Sequence, residues 1–321
     1  MDKMTLKMRQ GMSLEDKIRF TKRRIQEWVE YWGEEGVYVS FSGGKDSTVL
    51  LHIARELYPN IKAVYVDTGL EFPEIKEFVK SFENVDILRP KMSFIEVIKK
   101  YGYPIIGKKQ ARYIRDLQNP SSKNENTRNL RITGITKNGN YAPTQKLAKK
   151  YLGLANAPFK ISEQCCDIMK KKPFKEYMKK TNRKPIIATM AEESDMREKE
   201  YLNQGSCNAF NLKIPKSTPM AFWAEQDILK YLKDNNIKYA DVYGDIVLEG
   251  NKFKTTGQRR TGCVFCGFGC HLEKEPNRFQ KLAISHPKLY DYCINKLGFG
   301  EVLDYIGVNY KPLNTLDKGK P

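Results

Sequence analysis

Residues 37–54, VYVSFSGGKDSTVLLHIA, constrain the fold of this chain most, because an apolar run meets two glycines and then a helical pattern. Four of residues 37–41 are β-branched or aromatic, which predicts a strand. Val49, Leu50 and Ile53 then follow at helical spacing. A strand, a glycine turn and a helix start together favour an anionic ligand, because glycine lets the backbone approach it and the first N–H groups of the helix are unpaired.

The polar residues of this turn fit a phosphate. Lys45 supplies a positive charge, and Asp46 supplies a carboxylate that can hold Mg²⁺. An ordinary strand–turn–helix junction is the alternative, but it does not explain six compatible residues in one register. The Walker A spacing G-x-x-x-x-G-K-[ST] is absent, so the turn is not a loop of that kind. The predicted ligand-binding residues are the six of the turn, Ser42, Gly43, Gly44, Lys45, Asp46 and Ser47, together with Ser40 in the strand before it.

The composition indicates a cytoplasmic protein. No run of eighteen apolar residues is present, and the N-terminal residues lack the apolar centre of a signal peptide, so no membrane partner is expected. The chain has 321 residues, which allows one large domain or two small ones. It has 7 cysteines, which in a cytoplasmic protein are expected to be metal ligands, catalytic thiols or core residues rather than disulfides.

The net charge of +18 is concentrated in part of the chain. Residues 108–150 contain eleven Lys and Arg against two acidic residues. Such a cluster favours a polyanionic partner, tRNA or DNA, although a merely solvated basic surface is the alternative. The sequence leaves the oligomeric state open, and a homodimer is compatible with it.

Strands and helices alternate between residues 37 and 101, which predicts a doubly wound, mainly parallel α/β sheet followed by a helical, cysteine-rich C-terminal part. The predicted strands are 37–42, 61–67 and 85–89, and the predicted helices are 46–58, 73–82 and 93–101. Residues 119–140 are polar and are predicted to form a long loop or insertion. The predicted segments are an N-terminal helical part (1–35), a nucleotide-binding domain (36–215) with a basic insertion (108–150), a helical, Cys-rich part (216–308) and a tail (309–321).

Five motifs in order resemble those of the phosphoadenylyl-sulfate (PAPS) reductase-like family of PP-loop ATP pyrophosphatases. SGGKDS is similar to the PP-loop of these enzymes, which cut ATP between its α- and β-phosphates. The other four are VDTGLEFPE at 66–74, QCCDIMKKKPF at 164–174, TPMAFWAEQDILKYL at 218–232 and TGCVFC at 261–266. The resemblance implies an ATP and Mg²⁺ site that also includes Asp67, Thr68 and Gly69.

Two pairs of cysteines suit a four-thiolate site, for which zinc and a 4Fe–4S cluster are both candidates. Cys165 and Cys166 are adjacent, and Cys263 and Cys266 are separated by two residues. Adjacent cysteines chelate one tetrahedral ion awkwardly, which favours the cluster. The resemblance implies that these four residues are the 4Fe–4S ligands of the adenylyl-sulfate reductase branch. Cys270 is extra and is an alternative ligand, a sulfur-carrying catalytic thiol or a buried cysteine.

The chain departs from the sulfonucleotide reductases in two elements that act on their substrate. Their late Glu-Cys-Gly-Leu-His motif with its nucleophilic cysteine has no counterpart here. In the stretch 188–197, Ser194 and Arg197 match their substrate-gripping element, but Ala188 and Met190 replace its glycine and first arginine. This pattern favours a different substrate on the same nucleotide-binding frame.

The function predicted from these features is ATP-dependent, AMP-forming sulfur transfer to a nucleic acid, with Lys45, Asp46 and Cys270 as catalytic residues. Sulfur would come from a donor such as a cysteine desulfurase. Two alternatives stay open. One is a sulfonucleotide reductase that uses Cys270, and the other is a nucleotide- or redox-sensing regulator on the same fold.

Overall fold

The structure is a computed structural model, and it describes residues 2–312. The part of the predicted tail beyond residue 312 therefore lies outside the described residues. The described residues form two compact units, each made from two separate stretches of the chain. The first, which we call the sheet unit, combines the residues up to Pro90 with Lys172–Gly262. The second, the cysteine unit, combines Lys91–Lys171 with the residues from Cys263 onward. The division into consecutive segments remains a prediction.

The strands and helices are numbered here in chain order. The strands are β1 Val37–Ser40, β2 Ala63–Val66, β3 Val85–Leu88, β4 Ile105–Ile106, β5 Lys184–Ile186, β6 Asn208–Ala209, β7 Lys216–Ser217, β8 Ile246–Glu249, β9 Lys252–Thr255 and β10 Gly267–Phe268. The helices are α1 Lys3–Gln10, α2 Leu14–Trp32, α3 Lys45–Leu57, α4 Pro73–Lys80, α5 Phe94–Tyr101, α6 Lys108–Gln118, α7 Glu125–Thr133, α8 Lys172–Thr181, α9 Asp195–Gln204, α10 Glu225–Asp234, α11 Arg278–Ser285, α12 Pro287–Asp291 and α13 Phe299–Tyr305.

The sheet unit contains a six-stranded sheet in the order β3-β2-β1-β5-β7-β6. All neighbouring pairs are parallel except β6 with β7. In the central strand, Val39 lies opposite Ala63 on one side and Ile186 on the other. The predicted doubly wound, mainly parallel α/β sheet is therefore confirmed.

Both faces of this sheet are covered because β1 alternates its side chains between them. Val37 and Val39 belong to the main core, which also contains apolar residues of α2, α3 and α10. Tyr38 belongs to a smaller core on the other side, where Tyr177 of α8 packs against it. Nearly every residue of β1 is therefore buried, as is typical of a central parallel strand.

The chain leaves β1 toward β2 on one side and returns to β5 on the other side. The carboxyl end of β1 is therefore the point where the strand order reverses, and this is where ligands bind in open α/β sheets. Helix α3 begins five residues after the end of β1, so the glycine turn lies at this position. The six strands and helices predicted between residues 37 and 101 differ from the observed bounds by at most two residues at each end.

The prediction of a long loop over residues 119–140 is wrong in part, because α7 occupies Glu125–Thr133. Gly134 ends this helix in the left-handed conformation, with a φ of 82°. The preceding helix α6 was also not predicted as a helix. Its buried Ala111, Tyr113 and Ile114 stand at helical spacing within a strongly basic stretch.

The cysteine unit has a small two-stranded parallel sheet of β4 and β10, and the remainder is largely helical. Its core contains aromatic rings, and the ring of Phe299 lies within 6.4 Å of those of Phe94, Tyr103 and Phe279. Across the described residues of both units, no helix combines the length and apolarity needed to cross a membrane.

Candidate nucleotide site and cysteine cluster

The glycine turn after β1 depends on Gly43. This residue has a φ of 72°, in the left-handed region that favours glycine. A Cβ atom at this position would lie 2.7 Å from Cγ2 of Val79 and 2.8 Å from Cγ2 of Ile75. Both the conformation and the contact with α4 therefore require glycine here.

The two serines of the turn hold it against the start of α3. The Ser42 N–H donates to Oγ of Ser47 at 3.1 Å, and the two hydroxyl groups are 3.0 Å apart. Ser47 donates in turn to the Gly44 carbonyl at 2.9 Å. Gly44 precedes α3 and gives it no side-chain cap, so the helix begins without an acceptor of its own. Ser40, also predicted for this site, is the last residue of β1.

Lys45 is buried, and its ammonium group is already bound. Nζ lies 3.0 Å from Oε1 of Glu225 and donates to the Arg259 carbonyl at 2.8 Å. The Arg259 guanidinium binds the other oxygen, Oε2 of Glu225, at 2.6 Å. Burial alone would raise the pKa of Glu225, but the hydrogen bonds from Arg259 and Lys45 outweigh it and lower that pKa.

Two hydroxyl groups also lie at the turn. The Lys45 backbone N–H donates to the Tyr243 hydroxyl at 3.3 Å, and this hydroxyl shares a hydrogen bond of 2.6 Å with Oγ1 of Thr261. Tyr243, Thr261, Glu225 and Arg259 are not among the residues that the sequence predicts for this site. Glu225 and Thr261 stand inside quoted family motifs, but nothing in those motifs indicates a contact with the glycine turn.

Asp46 is the buried carboxylate of the site. Its Oδ1 has no hydrogen-bond partner within the part of the chain that the structure describes. Burial raises the pKa of Asp46 to about 6; the charge of Lys45 opposes this, and Glu193 and Glu225 add to it. Mg²⁺ is bound through one or two carboxylates together with substrate phosphates, so an orphaned carboxylate oxygen beside a phosphate turn fits this ion.

The DTG turn follows β2, whose carboxyl end lies at the same edge of the sheet as that of β1. Asp67 accepts from the Gly69 N–H at 3.1 Å and is paired with Lys76 at 3.0 Å. The Thr68 hydroxyl donates to Glu71 at 2.7 Å. The topology therefore brings both predicted turns to one edge, with the polar groups of the second turn held by α4 and by its own glutamate.

The third predicted element, residues 188–197, divides between the start of α9 and the main core. Ser194 caps α9, and Arg197 is paired with Glu200 at 3.1 Å. Ala188 and Met190, which replace the glycine and arginine of the reductases, are buried in the main core. Glu193, in the turn before α9, contributes to the raised pKa of Asp46 through its negative charge.

The four predicted cluster ligands lie in the cysteine unit, where Cys165 interacts with the other three. The Cys165 thiol donates to Sγ of Cys166 at 3.9 Å and also interacts electrostatically with Cys263 and Cys266. The pKa of Cys166 is lowered to about 6, chiefly by that hydrogen bond; burial opposes this, and the charges of Lys108 and Lys170 add to it. Burial raises the pKa of Cys266.

The four thiols form a donor set that a zinc ion and a 4Fe–4S cluster both accept. Sγ of Cys165 and Sγ of Cys166 are 3.9 Å apart. Among residues 2–312, no group of three or more His, Cys, Asp or Glu side chains is positioned to hold a metal ion. Lys108 and Lys170 bring positive charge to Cys166.

Cys270 is buried at the start of a short 3₁₀ turn, and burial raises its pKa to about 11. Its thiol is therefore neutral near pH 7, unlike an activated nucleophile. The next residue, His271, lies 2.7 Å through Nε2 from the Tyr151 hydroxyl, and burial lowers its pKa. Cys207 and Cys293 are buried, the former against the Tyr201 hydroxyl at 3.2 Å.

The basic segment contains both exposed and buried cations. Arg131 is buried and is paired with Asp116 at 3.1 Å. Arg115 is half-buried and lies 2.7 Å from Glu163. The cations with exposed side chains are Lys108, Lys109, Arg112, Lys123, Lys137, Lys149 and Lys150.

Comparisons with known proteins identify the family of this chain. Residues 36–120 and 121–267 match the phosphoadenosine phosphosulfate reductase domain. An uncharacterized protein of Methanocaldococcus jannaschii is 24% identical over 265 residues, which are 81% of this chain and 47% of that protein. The chain thus spans about half the length of that relative.

Two further similarities concern reductases. The adenosine 5'-phosphosulfate reductase of Oceanobacillus iheyensis is 21% identical over 254 residues, which are 76% of this chain and 76% of that protein. The crystal structure of phosphoadenylyl-sulfate reductase from Candida auris, in a phosphate complex, is 14% identical with a TM-score of 0.38 and covers 72% of this chain and 91% of that chain. Because the domain match spans most of its length, from just before β1 to the second cysteine pair, this chain belongs to the phosphoadenosine phosphosulfate reductase family.

Proposed function

We propose that this chain is an ATP-dependent, AMP-forming enzyme that activates an acceptor, most simply a nucleic acid, for sulfur transfer. The observation that carries the proposal is the glycine turn at the reversal point of the sheet, with Lys45 and a helix start whose N-cap residue, Gly44, has no side chain. This combination favours the phosphates of a nucleotide. Membership of the phosphoadenosine phosphosulfate reductase family also supports a nucleotide as the ligand of this turn.

The proposed reaction has two steps. An oxygen of the acceptor attacks the α-phosphorus of ATP, the bond to the β-phosphate breaks, and pyrophosphate leaves with its electron pair. The terminal sulfur of a persulfide R–S–SH on a donor protein then attacks the activated carbon, the carbon–oxygen bond breaks, and AMP leaves with the acceptor oxygen. A second thiol of the donor protein attacks the resulting C–S–S–R disulfide, so the acceptor keeps one sulfur and the donor is left as a disulfide. Lys45 and the N–H groups of the turn would balance the charge that develops on the leaving pyrophosphate.

Asp46 would hold the Mg²⁺ of the nucleotide, since its Oδ1 is buried and unpaired among the described residues. In the cysteine unit, Cys165, Cys166, Cys263 and Cys266 would hold a 4Fe–4S cluster. When bound, such a cluster supplies redox-active iron and sulfide. Lys108 and Lys170 would offset the negative charge of its thiolates, as they already lower the pKa of Cys166.

The nucleic-acid acceptor is supported by the exposed cations of the basic segment 108–150. A small nucleotide needs only a few positive charges, whereas Lys109, Arg112, Lys123 and Lys137 are exposed in addition to the buried Lys45 of the turn. Cations of this kind bind phosphate groups along a nucleic acid and release counterions.

A sulfonucleotide reductase is the second candidate, and the name of the Oceanobacillus iheyensis relative favours it. Two features weigh against it. Met190 stands where the reductases have an arginine, and its side chain is buried in the core. Cys270, the candidate nucleophile, has a pKa that burial raises to about 11.

The experiment compares the two reactions in one preparation. Protein purified anaerobically is incubated with α-labelled ATP and tRNA or duplex DNA, and separately with adenylyl sulfate or phosphoadenylyl sulfate and a thiol reductant. The proposal predicts AMP and pyrophosphate that depend on nucleic acid, and no sulfite. Formation of sulfite from the sulfonucleotides, with no AMP or pyrophosphate formed from ATP, would establish the reductase instead.

A matched variant controls for contaminating ATPases. Lys45→Ala should abolish AMP formation, because it removes the charge at the phosphate turn. Lys230→Ala changes an exposed lysine on α10 that is paired with Asp234 at 2.7 Å, and it should leave AMP formation unchanged. Equal activity in the two variants would assign the AMP to another enzyme.

A further inference from the structure

Lys45 is not free to meet a phosphate in the nucleotide-free protein. Its side chain is only 5% exposed, and its Nζ binds Glu225 and the Arg259 carbonyl at 3.0 and 2.8 Å. A lysine that takes a phosphate from solvent is expected to present its ammonium group to solvent. Here the group is enclosed within the sheet unit by a carboxylate and a main-chain oxygen.

Glu225 holds two cations at once. Its Oε1 binds Lys45, while its Oε2 accepts from Nε and Nη2 of Arg259 at 3.0 and 2.6 Å. Glu225 is the first residue of α10, and its own N–H donates to Glu192 at 2.7 Å. The carboxylate is therefore held from both sides, with its side chain 14% exposed.

Residues 256–262, which we call the cover segment, supply the rest of this arrangement. Thr261 shares its hydroxyl hydrogen bond with Tyr243, whose oxygen accepts the Lys45 N–H. A Cβ atom on Gly44 would lie 3.3 Å from the Tyr243 hydroxyl and 3.7 Å from Oγ1 of Thr261. Hydroxyl oxygens thus lie against the backbone that would bind phosphate oxygens.

The cover segment is packed closely. A Cβ atom on Gly257 would lie 2.5 Å from the Val242 carbonyl oxygen and 2.8 Å from the carbonyl carbon of Tyr243. The Gly257 N–H also donates to the Tyr243 carbonyl at 2.8 Å. The backbone around Arg259 is therefore anchored next to Tyr243, which makes its contact with Lys45 a built feature of the fold.

We propose that Glu225 is an internal competitor for phosphate, which neutralises Lys45 and Arg259 in the nucleotide-free protein and gives them up when a polyphosphate binds. The inference rests on the proposed nucleotide site. Its physical basis is charge: phosphate oxygens at Lys45 would stand beside the Glu225 carboxylate, and like charges in a buried site repel strongly. Exchange of one anion for the other removes this repulsion and leaves both cations paired.

The opposite role for Glu225 would be to orient Lys45 toward the phosphate. The two roles predict opposite signs for one substitution. If Glu225 competes, its removal strengthens polyphosphate binding; if Glu225 orients Lys45, its removal weakens binding.

The test is calorimetric titration of the full chain with ATP·Mg²⁺ and with pyrophosphate, in the wild type and in Glu225→Gln. The amide keeps the size of the side chain but removes its charge. We expect the dissociation constant for both probes to fall by about tenfold or more, the size of one hydrogen bond between charged groups. Glu249→Gln is the matched control, since Glu249 forms an exposed ion pair with Lys254 in the same unit, and its affinity should equal that of the wild type.

The outcomes separate this inference from the proposed function. Equal or weaker binding by Glu225→Gln than by the wild type would overturn the competitor role and leave the nucleotide site intact. Absence of binding in every variant would overturn both. Circular dichroism checks folding, and Glu225→Asp serves if the amide variant unfolds. Its shorter side chain cannot bridge Lys45 and Arg259 as well, so a smaller gain of the same sign is expected.

Discussion

The guanidinium carbon of Arg131 lies 3.9 Å from the centre of the Tyr113 ring. The same guanidinium donates to Asp116 at 3.1 Å and to the Gln145 carbonyl at 3.1 Å. Arg131 therefore joins α6, α7 and the chain that follows them. Arg131 is one of the eleven cations of the basic segment 108–150, yet its contacts lie within the cysteine unit. Its charge can be buried because Asp116 and the Gln145 carbonyl pair with it.

Replacement of Arg131 by alanine should destabilise the protein and not act through nucleic acid. Removal of Arg131 leaves Asp116 with Arg115 at 3.3 Å as its remaining cation and leaves the Gln145 carbonyl without its donor, so the free energy of unfolding should fall by about 2 kcal/mol or more. Arg112→Ala, on the exposed face of α6, should change it by less than about 0.5 kcal/mol. Urea denaturation of both variants measures this difference, and equal stability would contradict the buried role.

The exposed cations of the basic segment should carry any nucleic-acid binding. A variant with serine at Lys109, Arg112, Lys123 and Lys137 is expected to bind tRNA or duplex DNA more weakly. Its plot of log affinity against log salt should flatten by about 0.7 to 0.9 for each phosphate group that the variant no longer neutralises. The matched control places serine at four exposed lysines of the sheet unit: Lys7, Lys80, Lys230 and Lys252. Filter binding at several salt concentrations measures both variants. The same decrease in affinity in the two would contradict nucleic-acid binding by the basic segment.

The two glycines of the turn should respond differently to alanine. A methyl group at Gly44 meets the hydroxyl oxygens of Ser42, Tyr243 and Thr261, at 3.2, 3.3 and 3.7 Å, so Gly44→Ala should keep the fold but weaken ATP binding. Gly43→Ala introduces strain at positive φ and overlaps Val79 and Ile75, which should cost about 2 to 4 kcal/mol of stability. Thermal unfolding with calorimetry distinguishes them. Unchanged ATP affinity in Gly44→Ala would exclude this turn as the nucleotide site.

The buried carboxylate of Asp46 should make stability depend on pH. Its folded pKa of about 6 lies above the ordinary value of 3.8, so the folded state holds the proton more tightly than the unfolded state. Stability from this group is therefore present below about pH 4 and is lost as pH rises to about 6, by on the order of 3 kcal/mol. Asp46→Asn lacks this loss.

The measurement is urea denaturation of both proteins in EDTA, at pH 4.5 and pH 7. The stability of Asp46→Asn relative to the wild type should increase between the two pH values. A difference that stays constant with pH would show that the Asp46 carboxylate does not titrate in this range.

Iron binding should follow the two cysteine pairs. Anaerobically purified protein is expected to be brown and to contain about four irons per chain. Cys166→Ala should lose the iron, whereas Cys207→Ala, a buried cysteine of the sheet unit, should keep it. Iron analysis and the visible spectrum measure both. Stoichiometric zinc without iron would contradict the cluster, and loss of iron in Cys270→Ala would revise the ligand set.

The sequence predicts strands and helices correctly where one or both of their faces are buried, because burial produces a clear apolar pattern. The apolar strand β1, the glycine turn and the start of α3 are contiguous, so their pattern indicates both the parallel sheet and the phosphate turn. The motif order indicates the family for the same reason, because each motif is short and local. α6 and α7 were missed because their apolar positions are few and are surrounded by lysine, arginine and asparagine.

Only the tertiary structure decided what surrounds the turn. Glu225 lies 180 residues after Lys45 along the chain, and Arg259 lies 214 residues after it. No periodicity connects residues this far apart, because their contact depends on which strands are neighbours and on how α10 packs against α3. The burial of Arg131 has the same origin: a charge becomes structural when the fold supplies partners for it, and the sequence shows the charge without the partners.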